Sequence, residues 1–170
     1  MHAGAPRPMP VTVRSATIDD AAQACAVIRR SIVELCHLDH NGDEAFLAKW
    51  LSNKTNEDVG RWISQRRHFL VAEEDGKILG AAAMLDSGKI ILNYVSPDAR
   101  FRGVSKSLMQ ALEDRARAGG IAECSVESSQ TALAFYQSIG YVRTDQNYIH
   151  QLTGTPAIVL AKRLEPDPPR

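Results

Sequence analysis

The sequence carries no excess of either charge, no apolar leader and no CxxC pair. Its 20 basic residues balance 20 acidic ones over 170 residues. That balance speaks against a nucleic-acid binder or a polybasic membrane anchor, local patches aside. The opening stretch MHAGAPRPMP is rich in proline and lacks the apolar core of a secretory signal or a membrane span. Cys25, Cys36 and Cys124 form an odd, widely spaced set. This excludes a disulfide framework and suits reduced thiols in a cytoplasmic protein. Internal repeats and low-complexity interior segments are also absent.

What is present is ordinary for a globular chain: 44% apolar and 24% charged residues. The length suits one domain that buries its core without staples or metals. Residues 1–10 read as a disordered lead-in, 11–164 as the domain, and 165–170 (EPDPPR) as a tail.

Val11–Ala16 alternates as a short strand. A helix follows, with Asp19 or Asp20 as N-cap and Ala24, Val27, Ile28, Ile32 and Leu35 on one face. A second helix from Asp43 to Leu51 presents Phe46, Leu47 and Trp50, and Thr55–Asp58 resembles a capping box ahead of Val59, Trp62 and Ile63. Next comes a three-strand meander, HFLVAEE, KILGAAAML and IILNYVS, turning at Asp75-Gly76 and at Asp86–Lys89. A helix from Ser105 to Ala118 stops at Gly119-Gly120. AECSVES is a strand, QTALAFYQSIG a helix, and YVRTDQ and AIVLAKRL are strands. The strand–helix–strand unit from Ile90 to Glu127 predicts one parallel strand pair. The rest is antiparallel, giving a mixed α+β fold with helices on both faces of one sheet.

The loop SPDARFRGVSKS enters a helix at its glycine. A helix N-terminus offers unpaired N–H groups and the positive end of the dipole. Gly103 lets the backbone come close to a ligand, and Arg100 and Arg102 add charge-assisted contacts. The segment suits a diphosphate. The plainer reading is a strand–helix turn with two solvated arginines. Neither the GxxxxGK[ST] spacing of a P-loop nor the GxGxxG of a dinucleotide fold is present there.

Arg100-x-x-Gly103-x-Ser105 resembles the acetyl-CoA motif of the Gcn5-related N-acetyltransferase (GNAT) family: Gln or Arg, two residues, Gly, one residue, then Gly or Ala. Downstream, SSQTALAFYQSIGYV resembles that family's next motif through Ser129, Ala132, Phe135, Tyr136, Gly140 and Tyr141. The element order is similar as well, so the resemblance covers Val11 to Leu164. It implies acetyl-CoA as co-substrate, lying in a V-shaped gap between the strand ending at Val95 and the strand containing Val126. A bulge near Tyr94-Val95 would open the gap. The Val95 backbone would pair with the pantetheine arm. The N–H groups of Phe101, Arg102, Gly103, Val104, Ser105 and Lys106 would hold the pyrophosphate, with Ser129 also at the cofactor. Ser105 departs from the Gly or Ala of the motif, yet a serine still permits close approach.

Acetyl transfer to an amine needs a neutral nucleophile, a polarised carbonyl and a proton for the leaving thiolate. Tyr136 matches the family's general-acid tyrosine, and a phenol is protonated at neutral pH. For the base, Glu127, Glu73 and Glu34 stand open. Asn93 either orients a water or is a satisfied strand residue. CHLDH (Cys36–His40) reads as a polar helix end or as a metal cluster; it lacks a second ligand group at zinc spacing, and no metal is expected. The resemblance places His37, Asp39 and His40 at the acceptor wall. Trp50 and Trp62 read as core. The implied activity is acetylation of a primary amine on an unidentified acceptor, with no nucleic-acid or membrane partner and with homodimers frequent in the family. A catalytically silent acyl-CoA-binding regulator is the alternative.

Overall fold

The computed structural model describes residues 10–65, 68–166 and 169. The expected lead-in, save Pro10, and residues 167, 168 and 170 of the expected tail lie outside them. Among the described residues, seven strands form one sheet: β1 (Thr12–Ser15), β2 (His68–Glu74), β3 (Lys77–Met84), β4 (Lys89–Val95), β5 (Glu123–Ser128), β6 (Val142–Arg143) and β7 (Ile158–Arg163). Their order is β1-β2-β3-β4-β5-β7-β6. The β4–β5 pair is parallel and the others are antiparallel. Helices α1 (Ala21–Leu35), α2 (His37–His40), α3 (Glu44–Leu51) and α4 (Asn56–Gln65) precede β2. Helix α5 (Val104–Ala118) joins β4 to β5, and α6 (Leu133–Ser138) follows β5. The mixed α+β architecture is as the sequence predicts.

Local chemistry explains most boundaries. Asp43 caps α3 by accepting the Phe46 N–H at 3.0 Å, and the Thr55 hydroxyl accepts the Asp58 N–H at 3.1 Å. Entry to α1 differs from expectation. The chain makes one 3₁₀ turn, Ile18–Asp20, and the Asp20 carboxylate is turned away from α1. It accepts the Thr17 N–H at 2.8 Å and two Arg14 bonds at 2.7 and 2.9 Å. Those Arg14 bonds hold its carboxyl below the usual range. A buried carboxylate gains more from a guanidinium than from an exposed helix end.

Strand β3 is buried on both faces, and its alanines alternate between two cores. Ala82 and Met84 meet Leu108 and Leu112 of α5 on one side, whereas Ala81 and Ala83 share a core with Ile28 and Ile32 of α1 on the other. Small residues there let helices approach from both faces. Gly80 marks the closest approach. A Cβ at that position would lie 2.9 Å from Leu108 Cδ1, 2.9 Å from Val104 Cγ1 and 3.2 Å from the Tyr94 carbonyl oxygen. Gly80→Ala is therefore expected to cost about 1–3 kcal/mol of stability by overpacking. A urea titration checks this, and an unchanged midpoint would mean that α5 moves aside freely.

The splay of the sheet is local. Ala83 faces Leu92 but Met84 faces Ile90, so Ile91 is an extra residue on β4. Parallel pairing to β5 is confined to Lys89–Ser125 and Ile90–Val126. The bulge thus lies at Ile91 and not at Tyr94-Val95, which stay in register with Ala81 and Gly80. An extra residue sharpens the twist of its strand, and here it falls where β4 leaves β5.

The C-terminal elements are shorter than expected. α6 has 6 residues and β6 only 2, because the chain leaves β7 after Thr144 and returns through a loop bridged at Ile149–Pro156. Buried Glu113 ties α5 to this end, accepting from the Tyr141 hydroxyl at 3.1 Å and Lys162 Nζ at 3.0 Å. All three cysteines are free and buried. Burial pushes the Cys36 thiol up to about 12 and the Cys124 thiol to about 11, so both stay protonated and make poor nucleophiles. Among the described residues, no helix is long and apolar enough to cross a membrane.

Candidate active site

Beyond Ile90 the edge of β4 that faces β5 has no strand partner among the described residues, and the parting of the two strands opens a cavity of about 320 Å³. Asn93 and Tyr94 of β4 form one wall, and Glu127 and Ser128 of β5 the other. Phe46 and Trp50 of α3 close one side, the 150–157 loop another, and Tyr136 of α6 also lines the cavity.

Tyr136 is 4% exposed, and burial pushes its hydroxyl up to about 12. Asn93 Nδ2 donates to the phenol oxygen at 3.3 Å. The bond occupies an acceptor site on that oxygen and leaves the hydroxyl proton free to be given away. Asn93 Oδ1 is buried and, among the described residues, has no hydrogen-bond partner. A buried carbonyl oxygen without a donor is costly, so this atom suits a ligand N–H entering the gap.

Glu127 is the one of three proposed bases that lines the cavity. Glu73 pairs with Arg14 at 2.6 Å and Glu34 with Arg30 at 2.8 Å. Glu127 Oε1 accepts from Lys89 Nζ at 2.9 Å, and His150 Nε2 lies 3.4 Å from its Oε2. The backbone N–H groups of Leu152 and Thr153 point at His150 Nδ1, so the ring proton belongs on Nε2, facing the carboxylate. Burial raises the Glu127 carboxyl, but Tyr148, Lys89 and His150 together outweigh it and hold the group below its usual range. It is ionised at neutral pH. Lys89, Tyr148 and His150 carry no sequence signal, since β4 and the loop before β7 approach Glu127 only after folding.

The α5 entry is shaped by two left-handed residues, Phe101 at φ 61° and Gly103 at φ 75°. The first rung of α5 is Ser107 N–H to the Gly103 carbonyl at 3.0 Å, so the N–H groups of Val104, Ser105 and Lys106 have no carbonyl inside the helix. Among the described residues, nothing beyond its chain neighbours and its own helix backbone lies within 4 Å of a Cβ built at Gly103. The space ahead of these donors is open. Phe101 is 93% exposed, with the Arg100 guanidinium 4.7 Å from its ring centre. Arg102 pairs with Glu74, so in this arrangement the loop offers backbone donors rather than two free arginines. Val95 ends the free edge of β4, and the Ser129 hydroxyl accepts the Ala132 N–H at 3.1 Å beside the cavity.

Other expectations resolve differently. His40 is buried, with Nε2 against the Val33 carbonyl at 3.1 Å and Nδ1 accepting the Gly42 N–H at 2.9 Å. Neither ring nitrogen is left for a substrate. Asp39 lines the cavity but is occupied as a clamp, accepting from Gln130 N at 2.6 Å and Thr131 Oγ1 at 2.7 Å. Among the described residues, no three His, Cys, Asp or Glu side chains stand close enough together to hold a metal ion. Trp50, expected in the core, is half-buried and faces the cavity beside Tyr94. Phe46 packs edge-on against the Trp50 ring at 5.9 Å.

A family model described as an acetyltransferase (GNAT) domain matches residues 34–153. The chain belongs to the GNAT acetyltransferase family. The family that the model describes is one of acetyltransferases. The chain is 35% identical over 71 residues to the peptidyl-lysine N-acetyltransferase YiaC of Escherichia coli, across 42% of this chain and 47% of that protein. It spans less than half of that relative. A GCN5-related N-acetyltransferase from Rhodopseudomonas palustris superposes with a TM-score of 0.82 at 26% identity, over 95% of this chain and 100% of that one. The PaiA N-acetyltransferase of Thermoplasma acidophilum, solved with coenzyme A, shares the fold with a TM-score of 0.75 at 18% identity, over 92% and 100%.

Proposed function

We propose that this GNAT protein transfers the acetyl group of acetyl-CoA to a primary amine bound in the cavity between β4 and β5. The observation that carries the reading is the buried Tyr136 hydroxyl, which accepts from Asn93 and keeps its own proton for donation into the gap. The peptidyl-lysine acceptor in the name of the E. coli relative supports an alkyl amine. The open donors of Val104, Ser105 and Lys106 and the free edge at Val95 suit a diphosphate followed by an extended amide-bearing arm. Acetyl-CoA supplies the activated thioester.

The side chains divide the proton traffic. Glu127, ionised and held by Lys89 and His150, accepts the proton that the incoming ammonium must lose, through water where the gap is wide. Asn93 Oδ1 accepts an N–H of the amine and orients it. Tyr136 donates to the departing thiolate, and the Asn93 amide steadies the phenol oxygen as its proton leaves. A silent binding module would need none of these groups together in one cavity.

Glu127→Gln keeps the shape and removes the base. Its kcat/KM at pH 7 is expected to fall about 10²–10³-fold. The deficit should shrink as the pH rises toward the amine's own pKa, because solvent then supplies free amine. Parallel wild-type and mutant pH profiles would remove Glu127 from the reaction.

A further inference from the structure

Lys54 stands where a lysine is disfavoured. It is 5% exposed and lines the same cavity. Its Nζ donates to Asn53 Oδ1 at 2.7 Å, and among the described residues no carboxylate comes within 4.0 Å of it. Buried ammonium groups are ordinarily paired with an anion. Other charges at the cavity already have partners: Asp39 holds Gln130 and Thr131, and Glu127 holds Lys89 and His150. Arg29 adds further positive charge, donating to the Lys54 carbonyl at 2.8 Å. Lys54 is thus the cavity ammonium that touches no carboxylate, whereas Lys89 has Glu127.

We propose that Lys54 binds an acidic group of the acceptor, so that the acceptor is an amine that also carries a carboxylate. This rests on the transfer reading above and names its substrate class. A cavity of about 320 Å³ is at the low end for ligand pockets. It has room for a small amino-acid-like molecule or for one lysine side chain with an acidic neighbour. The chemistry recognised is the same in both: an amine at Asn93 and Glu127, a carboxylate at Lys54. Burial lowers the Lys54 ammonium to about 8, so it is charged at neutral pH. An arriving carboxylate would relieve the penalty that causes that shift.

The test uses two matched acceptor pairs with the full chain, read by thiol release. One pair is free lysine against cadaverine, and the other a short peptide with Lys-Glu against the same peptide with Lys-Gln. In at least one pair the wild type should favour the carboxylated member by about 10–100-fold in kcat/KM. Lys54→Met should erase that preference by raising KM for the carboxylated member far more than for the neutral one, while Lys54→Arg retains part of it. A response confined to the first pair identifies a small free acceptor, and one confined to the second a peptide. Lys54→Met is expected to melt no lower than wild type, since it removes an unpaired buried charge. Equal use of both members, or a preference that survives Lys54→Met, overturns the proposal. If no acceptor turns over, calorimetry of the same pairs on the CoA-loaded protein decides. Lys54-dependent binding then supports the anchor and counts against the transfer reading, and its absence overturns the anchor.

Discussion

Tyr136→Phe is expected to lower kcat by about 10²–10⁴-fold while leaving acetyl-CoA affinity and the fold intact. The substitution keeps the ring, which is 4% exposed and packs edge-on with Phe135 at 5.3 Å and Tyr141 at 5.8 Å. Only the hydroxyl goes. That hydroxyl accepts one bond, from Asn93, so losing it leaves a single amide N–H to find water or ligand. The structural cost is small and the chemical cost large. Burial pushes the phenol up to about 12, which keeps the proton in place across physiological pH but makes it a weaker acid than a free phenol, so its transfer needs a strongly basic acceptor. A thiolate forming beside it would be more basic than solvent-exposed thiolates, since the same burial disfavours its charge. Steady-state kinetics with calorimetric acetyl-CoA binding separate the effects. A phenylalanine variant that turns over at the wild-type rate across the pH range would make Tyr136 a packing residue, with the proton coming from solvent.

What could be read from the sequence was what is contiguous in it. Arg100 to Ser105 and Ser129 to Tyr141 are short runs whose chemistry survives without knowledge of the fold. The meander and the capping residue Thr55 were legible for the same reason, as each acts within a few residues. The cavity is different. Lys89 meets Glu127 across 38 positions, and His150 reaches it from a loop whose course depends on β6 ending after two residues. Trp50 has the spacing of a core residue because a cavity wall and a core face occupy the same stripe of a helix. The bulge at Ile91 lies in IILNYV, which holds no glycine or proline to mark it. Lys54 sits in a polar turn, SNKT, where its burial depends on α1 packing over it from 25 positions away.

Gly103→Glu is expected to abolish acetyl-CoA binding, raising Kd by more than about 100-fold. Three effects add. Gly103 has φ 75°, a conformation that costs a residue with a Cβ about 1–2 kcal/mol. The space a Cβ would enter is open, so the new side chain is free to extend into the volume in front of the donors. Its carboxylate then sits at the positive end of α5, where it satisfies the N–H groups of Val104, Ser105 and Lys106 itself and repels a diphosphate. That last effect stabilises the helix, so the variant should fold even though binding is lost. Gly103→Ala separates strain from charge: it bears the same backbone cost without the anion and should weaken binding far less. Calorimetry on both variants measures the difference. Unchanged affinity in Gly103→Glu would mean that the diphosphate lies elsewhere, and the free edge of β4 at Val95 would then have to hold the co-substrate without help from the helix.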